Sequence, residues 1–157
     1  MKRILIARSA GFCFGVKRAI SIANETAGKA AGGADPKNLP IHSLGPLIHN
    51  PQAVEELEKK GVHVVESVDD IPCGKVIVRS HGITRRDAEA LAGREVQIID
   101  ATCPFVKKAQ EYALQLSREG YAVTVVGDAN HPEVKSIISY IEAGVPIFTS
   151  LANLREA

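Results

Sequence analysis

The chain has no tryptophan, a single methionine, and aromatic residues at only 4% of its 157 positions. So few flat side chains weigh against a surface that stacks nucleobases. Excess charge is missing too. Nineteen Lys and Arg against eighteen Asp and Glu leave a formal net charge of +1, so charge points to no nucleic-acid partner and no membrane surface. The opening Lys2-Arg3-Ile4-Leu5-Ile6-Ala7 has a basic start, but its apolar run is too short for a signal peptide. No stretch approaches the roughly 20 apolar residues of a membrane span. A cytoplasmic protein is expected. Cysteines number three, an odd count without a Cys-x-x-Cys pair, which argues against a disulfide framework and for redox or metal chemistry.

What is present suits a globular domain: 45% apolar and 24% charged residues over a length that can bury a core. Short apolar runs alternate with helical patterns. Strands are expected over 3–7, 41–44, 62–65, 75–78, 96–99, 122–126 (this one buried) and 144–148, and helices over 14–30, 51–61, 84–93, 104–119 and 132–142. The first helix carries Val16, Ala19, Ile20 and Ala23 on one face and dissolves into the loop over 31–36. Asn50 can cap the second, with Pro51 in its first turn. Strands alternating with helices imply an α/β fold with small, mostly parallel sheets.

A cassette occurs twice. Cys13-Phe14-Gly15-Val16-Lys17-Arg18-Ala19 returns as Cys103-Pro104-Phe105-Val106-Lys107-Lys108-Ala109, each after an apolar run and opening a helix. The likeness extends further. Gly61-Val62-His63-Val64-Val65 aligns with Gly144-Val145-Pro146-Ile147-Phe148, and His49-Asn50-Pro51 and His131-Pro132 each introduce the preceding helix. Two units are expected, over 1–100 and 101–157, the second stopping before the counterpart of the strand at 75–78.

The repeated positions carry the chemistry. A helix N-terminus, with its unpaired N–H groups and positive dipole end, favours an anionic sulfur, and paired thiolates suit a soft metal or a cluster. A lone cysteine is more often a small buried hydrophobe; the matched settings of Cys13 and Cys103 favour function. Cys73, in the turn Pro72-Cys73-Gly74, has no counterpart and reads as a bystander. His49, His81 and His131 stand at the strand ends that also bear the cysteines, a good arrangement for an anion, above all a diphosphate. A single loop histidine is usually a local hydrogen-bonding residue, but the match of His49 with His131 favours a ligand. Glu133 sits two residues after His131, where an acid commonly just complements the helix dipole; beside a bound ligand it is placed to transfer a proton. His42 and His63 receive no role. The turns at 8–11 and 127–130 contain glycine but match neither a dinucleotide fingerprint nor a P-loop.

Gly11-Phe12-Cys13-Phe14-Gly15-Val16, His49-Asn50, Ser80-His81-Gly82, Asp100-Ala101-Thr102-Cys103-Pro104 and His131-Pro132-Glu133-Val134 occur in this order, and together they resemble the hydroxymethylbutenyl diphosphate reductase family (IspH, or LytB) along the whole chain. That resemblance implies the last step of non-mevalonate isoprenoid synthesis, the reductive dehydroxylation of 4-hydroxy-3-methylbut-2-enyl diphosphate to isopentenyl and dimethylallyl diphosphates. It implies a [4Fe-4S] cluster held by three cysteines, of which Cys13 and Cys103 are two. It also implies a diphosphate site at His49, His81 and His131, Glu133 in the proton relay, and ferredoxin or flavodoxin as electron donor. The family fold is three similar α/β units around the cluster, each giving one cysteine.

The expectation is therefore an oxidoreductase of which this chain is the N-terminal portion, inactive alone, with two of three units and the second incomplete. The exposed edge this leaves would favour self-association. The alternatives are a diphosphate-binding module without redox chemistry and, ranked last, a zinc site built from Cys13, Cys103 and neighbouring histidines.

Overall fold

The computed structural model describes residues 3–32, 39–142 and 144–156. Six helices and six strands alternate through most of it: α1 (Phe14–Ala31), β1 (Ile41–Leu44), α2 (Pro51–Glu58), β2 (Val62–Val65), β3 (Gly74–Val78), α3 (Arg85–Ala92), β4 (Val96–Asp100), α4 (Pro104–Arg118), β5 (Val125–Val126), α5 (Pro132–Ile138), β6 (Ile147–Phe148) and α6 (Leu151–Glu156). Among the described residues every strand pairing is parallel. One sheet has the order β2-β1-β3-β4, and β5 pairs with β6 in a second. The fold is α/β with small parallel sheets, as expected.

Strand alternation sends successive side chains to opposite faces. Ile77 therefore joins Ile41 and Val62 in a core with Ala19, Ala23 and Ala27 of α1 and Leu57 of α2. Its neighbours Val76 and Val78 join Leu44, Ile71 and Leu91 of α3 on the other side. All five residues of β3 are buried, as a strand covered on both faces must be. The three alanines at 3–4 spacing on α1 let its backbone approach the sheet closely, while each buried Leu or Ile adds roughly 1.5–3 kcal/mol.

The helix ends follow the capping signals. Asn50 Oδ1 accepts from Ala53 N–H at 2.9 Å, and Thr84 Oγ1 accepts from Asp87 N–H at 3.2 Å, each satisfying an amide that α2 or α3 leaves unpaired. Gly74 takes φ +104°, and a β-carbon there would strike the Pro40 carbonyl. Only glycine lets β3 begin beside β1 at that point.

Several expectations need correction. Residues 3–7 form no strand: Ile4, Leu5 and Ile6 are 87, 79 and 82% exposed, and among the described residues no neighbouring strand pairs with them. Apolar character alone does not order an extended segment that lacks a ladder partner. The buried strand expected over 122–126 shortens to Val125–Val126, with Val126 74% exposed. The strand over 144–148 shortens to Ile147–Phe148. The helix expected to reach 142 ends at Ile138, where Ser139 Oγ donates to the Ser136 carbonyl and competes with the helical ladder. Most of the loop expected over 31–36 lies outside the described residues.

Candidate functional site at the carboxyl ends of the strands

In a parallel sheet, all the loops that follow strands emerge on one edge. Three such loops are laced together here in the order of the strands they follow. Ser80, just past β3, donates from its N–H and Oγ to the Leu47 carbonyl in the loop after β1, at 3.2 and 3.1 Å. The Ser80 carbonyl accepts from Cys103 N–H, after β4, at 2.9 Å. His49, His81 and Cys103 are thus mounted on connected backbone.

Both cassette cysteines occupy helix N-caps. Cys13 precedes α1 and Cys103 precedes α4, and neither thiol is used as a side-chain cap. The two turns meet directly: a β-carbon on Gly15 would stand 2.5 Å from Cys103 Sγ and 2.9 Å from its Cβ. Gly15 is needed because of what approaches it, not because of its own conformation. Arg18, one turn further along α1, donates from Nη1 to the Thr102 carbonyl at 3.1 Å and from Nη2 toward the Asp100 carbonyl at 3.5 Å. Asp100 Oδ1 accepts from Thr102 N–H at 3.0 Å while Oδ2 pairs with Lys107 Nζ at 2.7 Å. Burial pulls the Asp100 carboxyl upward, but those bonds from Lys107 and Thr102 together hold it below the usual carboxylate range. The turn bearing Cys103 is therefore fixed from both sides before any ligand arrives. Cys73, in contrast, lies just ahead of β3, at the opposite end of the sheet from the loops at 80 and 103.

The three histidines singled out at the strand ends converge. Ring centroids lie 4.3 Å apart for His49 and His81, 5.4 Å for His49 and His131, and 5.7 Å for His81 and His131. They arrive on separate loops, after β1, after β3 and at the N-cap of α5. His131 Nδ1 accepts from Glu133 N–H at 3.2 Å, which places the ring proton on Nε2 and makes that nitrogen a donor. Burial, with the neighbouring His49, Arg79 and His131, pushes His81 down to about 4, and its Nδ1 is buried without a hydrogen-bond partner. His81 is thus held neutral near pH 7 and is placed to gain charge when an anion enters. Glu133 is half-buried in the first turn of α5.

A groove of about 530 Å³ opens beside His49, lined by Pro46, Ile48, Pro51, Val54, Glu55 and Glu58. Its two carboxylates make it a poor anion site; the imidazoles, not this groove, have the chemistry for phosphate. His42 and His63 face each other across β1 and β2 with rings 6.4 Å apart, as register partners within the sheet and not in its terminal loops. Among the described residues no group of three or more His, Cys, Asp or Glu is close enough to hold a metal ion.

Sequence reasoning passed over three residues. Arg18 was visible only as part of the repeated cassette. Gln110 and Ser136 are polar, yet 8 and 1% exposed, and they meet between α4 and α5. Gln110 stands between Val106 and Ala113 at the spacing of a buried helical stripe; that interruption of an apolar face was the available signal.

A parallel α/β fold with ligand-competent side chains gathered after its strands is of the open α/β class, whose binding crevices lie at that edge of the sheet. The sequence profile described as LytB protein matches residues 4–157, and the chain belongs to the LytB family. It is 52% identical over 142 residues, 90% of its length, to 4-hydroxy-3-methylbut-2-enyl diphosphate reductase of Syntrophotalea carbinolica, and spans 48% of that protein. Against the enzyme of the same name from Geobacter sulfurreducens, identity is 49% over 147 residues, 94% of this chain and 49% of the relative. A solved structure of (E)-4-hydroxy-3-methyl-but-2-enyl diphosphate reductase, the terminal enzyme of the non-mevalonate pathway, superposes with TM-score 0.78 at 40% identity, covering 98% of this chain and 53% of its own. The Plasmodium falciparum reductase gives TM-score 0.85 at 28% identity, covering 96 and 45%. The chain spans about half the length of these relatives. Among the described residues no helix is long and apolar enough to cross a membrane.

Proposed function

We propose that this chain provides the diphosphate site and two of the cluster thiolates of a reductase that acts on 4-hydroxy-3-methylbut-2-enyl diphosphate. The observation that carries this reading is the convergence of His49, His81 and His131 within 5.7 Å, on a backbone tied through Ser80 to the amide of Cys103. Each imidazole supplies a directional N–H to a phosphoryl oxygen, and protonation adds charge where the ligand brings the opposite sign. His131 presents its Nε2–H because Nδ1 is already engaged. Glu133, attached to the same turn, delivers a proton to the leaving hydroxyl. The net step removes that hydroxyl as water with two electrons and two protons, leaving isopentenyl or dimethylallyl diphosphate.

Cys13 and Cys103 fit a [4Fe-4S] cluster in donor type, since both are uncapped sulfurs in adjoining helix-terminal turns. When bound, the cluster supplies the two electrons, received one at a time from a carrier of the ferredoxin or flavodoxin kind. Such clusters take about three or four protein ligands, so a further ligand from outside these two turns completes the set and turnover depends on it. Cys73, at the far end of the sheet, is not that ligand.

Calorimetric titration with inorganic pyrophosphate tests the reading. The chain binds it; His81→Ala weakens binding about tenfold or more, the scale of one charge-assisted bond, and Cys13→Ser leaves it intact. Binding indifferent to His81, or abolished by Cys13→Ser, contradicts it. Iron and sulfide uptake on anaerobic reconstitution that is unchanged in Cys13→Ser and Cys103→Ser would leave a diphosphate-binding module without redox chemistry.

A further inference from the structure

The turn that carries His81 rests on the helices that begin after Cys103 and His131. Gly82 has φ +74°, and a β-carbon there would lie 2.6 Å from Gln110 Nε2, 2.8 Å from Ser136 Oγ and 3.4 Å from Thr102 Cγ2. Gln110 belongs to α4 and Ser136 to α5. The amide donates to the hydroxyl at 2.5 Å, and both groups are buried. The network runs on: Ser139 Oγ donates to the Ser136 carbonyl at 2.6 Å and accepts from Arg85 N–H, the first residue of α3, at 2.9 Å. On its other side the turn is closed by Gly82 N–H to the Arg79 carbonyl at 3.0 Å and by Arg79 Nε to the Gly82 carbonyl at 3.3 Å. Thus the segment from His81 to Arg85 is held at Gly82 by packing and at Arg85 by a hydrogen bond, both reaching back to Ser136.

We infer that the buried Gln110–Ser136 pair is a positioning device that fixes His81 relative to His131 and Cys103, and so sets the geometry of the diphosphate site without touching the ligand. A buried polar pair in an otherwise apolar helix contact is no gain in stability over a well-packed apolar pair, because each group loses its hydration. Its directionality is what an apolar pair lacks: the amide fixes the hydroxyl, and the two together form the floor under Gly82. Removing either partner leaves a buried polar group unsatisfied and free to turn toward another acceptor, and with Gly82 in van der Waals contact the turn must follow. The inference rests on the diphosphate reading for its consequence but not for its geometry.

Gln110→Met, an apolar replacement of similar length, and Ser136→Ala test it, alone and combined, in the full chain. Two readouts are needed: pyrophosphate affinity, and the ring cross-peaks of His81 in the ligand-free protein. Each single variant weakens pyrophosphate about tenfold, the double variant is no weaker than either single one because the pair acts as a unit, and His81 ring peaks shift while circular dichroism stays that of the parent. If Gln110→Met does not fold, Ser136→Ala, which removes one oxygen, carries the same test. Variants that fold, bind as the parent and leave the His81 peaks in place overturn the inference. Should the parent itself not bind pyrophosphate, the diphosphate reading falls, and the His81 peaks alone decide: displaced peaks uphold the positioning role, unmoved peaks refute it.

Discussion

Gly15, in the first turn of α1, lies against Cys103 so closely that a single β-carbon on it would stand 2.5 Å from the Cys103 sulfur. The two copies of the cassette are therefore a contact as well as a repeat. The turn of one passes directly over the thiol of the other, and only a residue without a side chain permits that. Arg18 fastens the same junction a turn further on.

Gly15→Ala should consequently disturb Cys103 before it disturbs anything else. The inserted methyl meets a sulfur held by the Ser80 carbonyl through the Cys103 amide, so the cost is that of overpacking, about 1–3 kcal/mol. Chemical denaturation measures that loss. Alkylation of Cys103 by iodoacetamide, followed by mass spectrometry, should change in rate in this variant, while Cys73 reacts as before.

Arg18→Met keeps the aliphatic stem and deletes two donors. The Thr102 and Asp100 carbonyls then have only water, or nothing, to pair with. About 1–2 kcal/mol of stability is lost, as for charged hydrogen bonds, and amide exchange at Thr102 and Cys103 accelerates. Exchange confined to the ends of α1 would contradict the assignment.

Gly82→Ala combines two penalties: a positive φ that L-residues avoid, and a methyl driven into Gln110 and Ser136. Together these cost on the order of 3 kcal/mol. Thermal unfolding should report a loss larger than that of Gly61→Ala, where φ is also positive but nothing stands within 4 Å of the new carbon.

The histidine cluster predicts a pH dependence with a definite sign. His81 is held near 4 in the folded chain, against 6.5 for the unperturbed group, by burial and by the nearby His49, Arg79 and His131. Between those two values the unfolded chain binds a proton that the folded chain does not, so stability falls as pH drops through that window and levels off below it. Denaturant midpoints of the parent and His81→Ala should therefore converge toward pH 4. Pyrophosphate raises the folded value, so its binding takes up protons and strengthens as pH falls from 7 toward 5.5. Calorimetry in buffers of different ionisation enthalpy counts those protons; proton release on binding contradicts the site.

Most of the first sheet was legible because its signals were local and mutually consistent: alternating strands, Asn50 as a cap, and the apolar face of α1 with Val16, Ala19, Ile20 and Ala23. The histidine trio was legible for a topological reason, since parallel strands gather the loops after them on one edge. Residues 3–7 misled because a run of Ile4, Leu5 and Ile6 reads as a strand whether or not a neighbour exists to pair with it. The second sheet was overcalled in length for the same reason: Val125 and Val126 pair, but Ala122–Thr124 have the apolar pattern without the ladder. Gln110 and Ser136 stayed hidden because a polar residue on a helix is usually solvated, and its burial depends on which helix comes to meet it.

The chain has five histidines, of which three converge, so it serves as its own control for which of them meet the ligand. Histidine ring spectra recorded during a pyrophosphate titration should show His49, His81 and His131 shifting together with a single saturation curve. His42 and His63, paired inside the sheet, should stay where they are. A response from His42 or His63, or silence from the three that converge, would contradict the site proposed here.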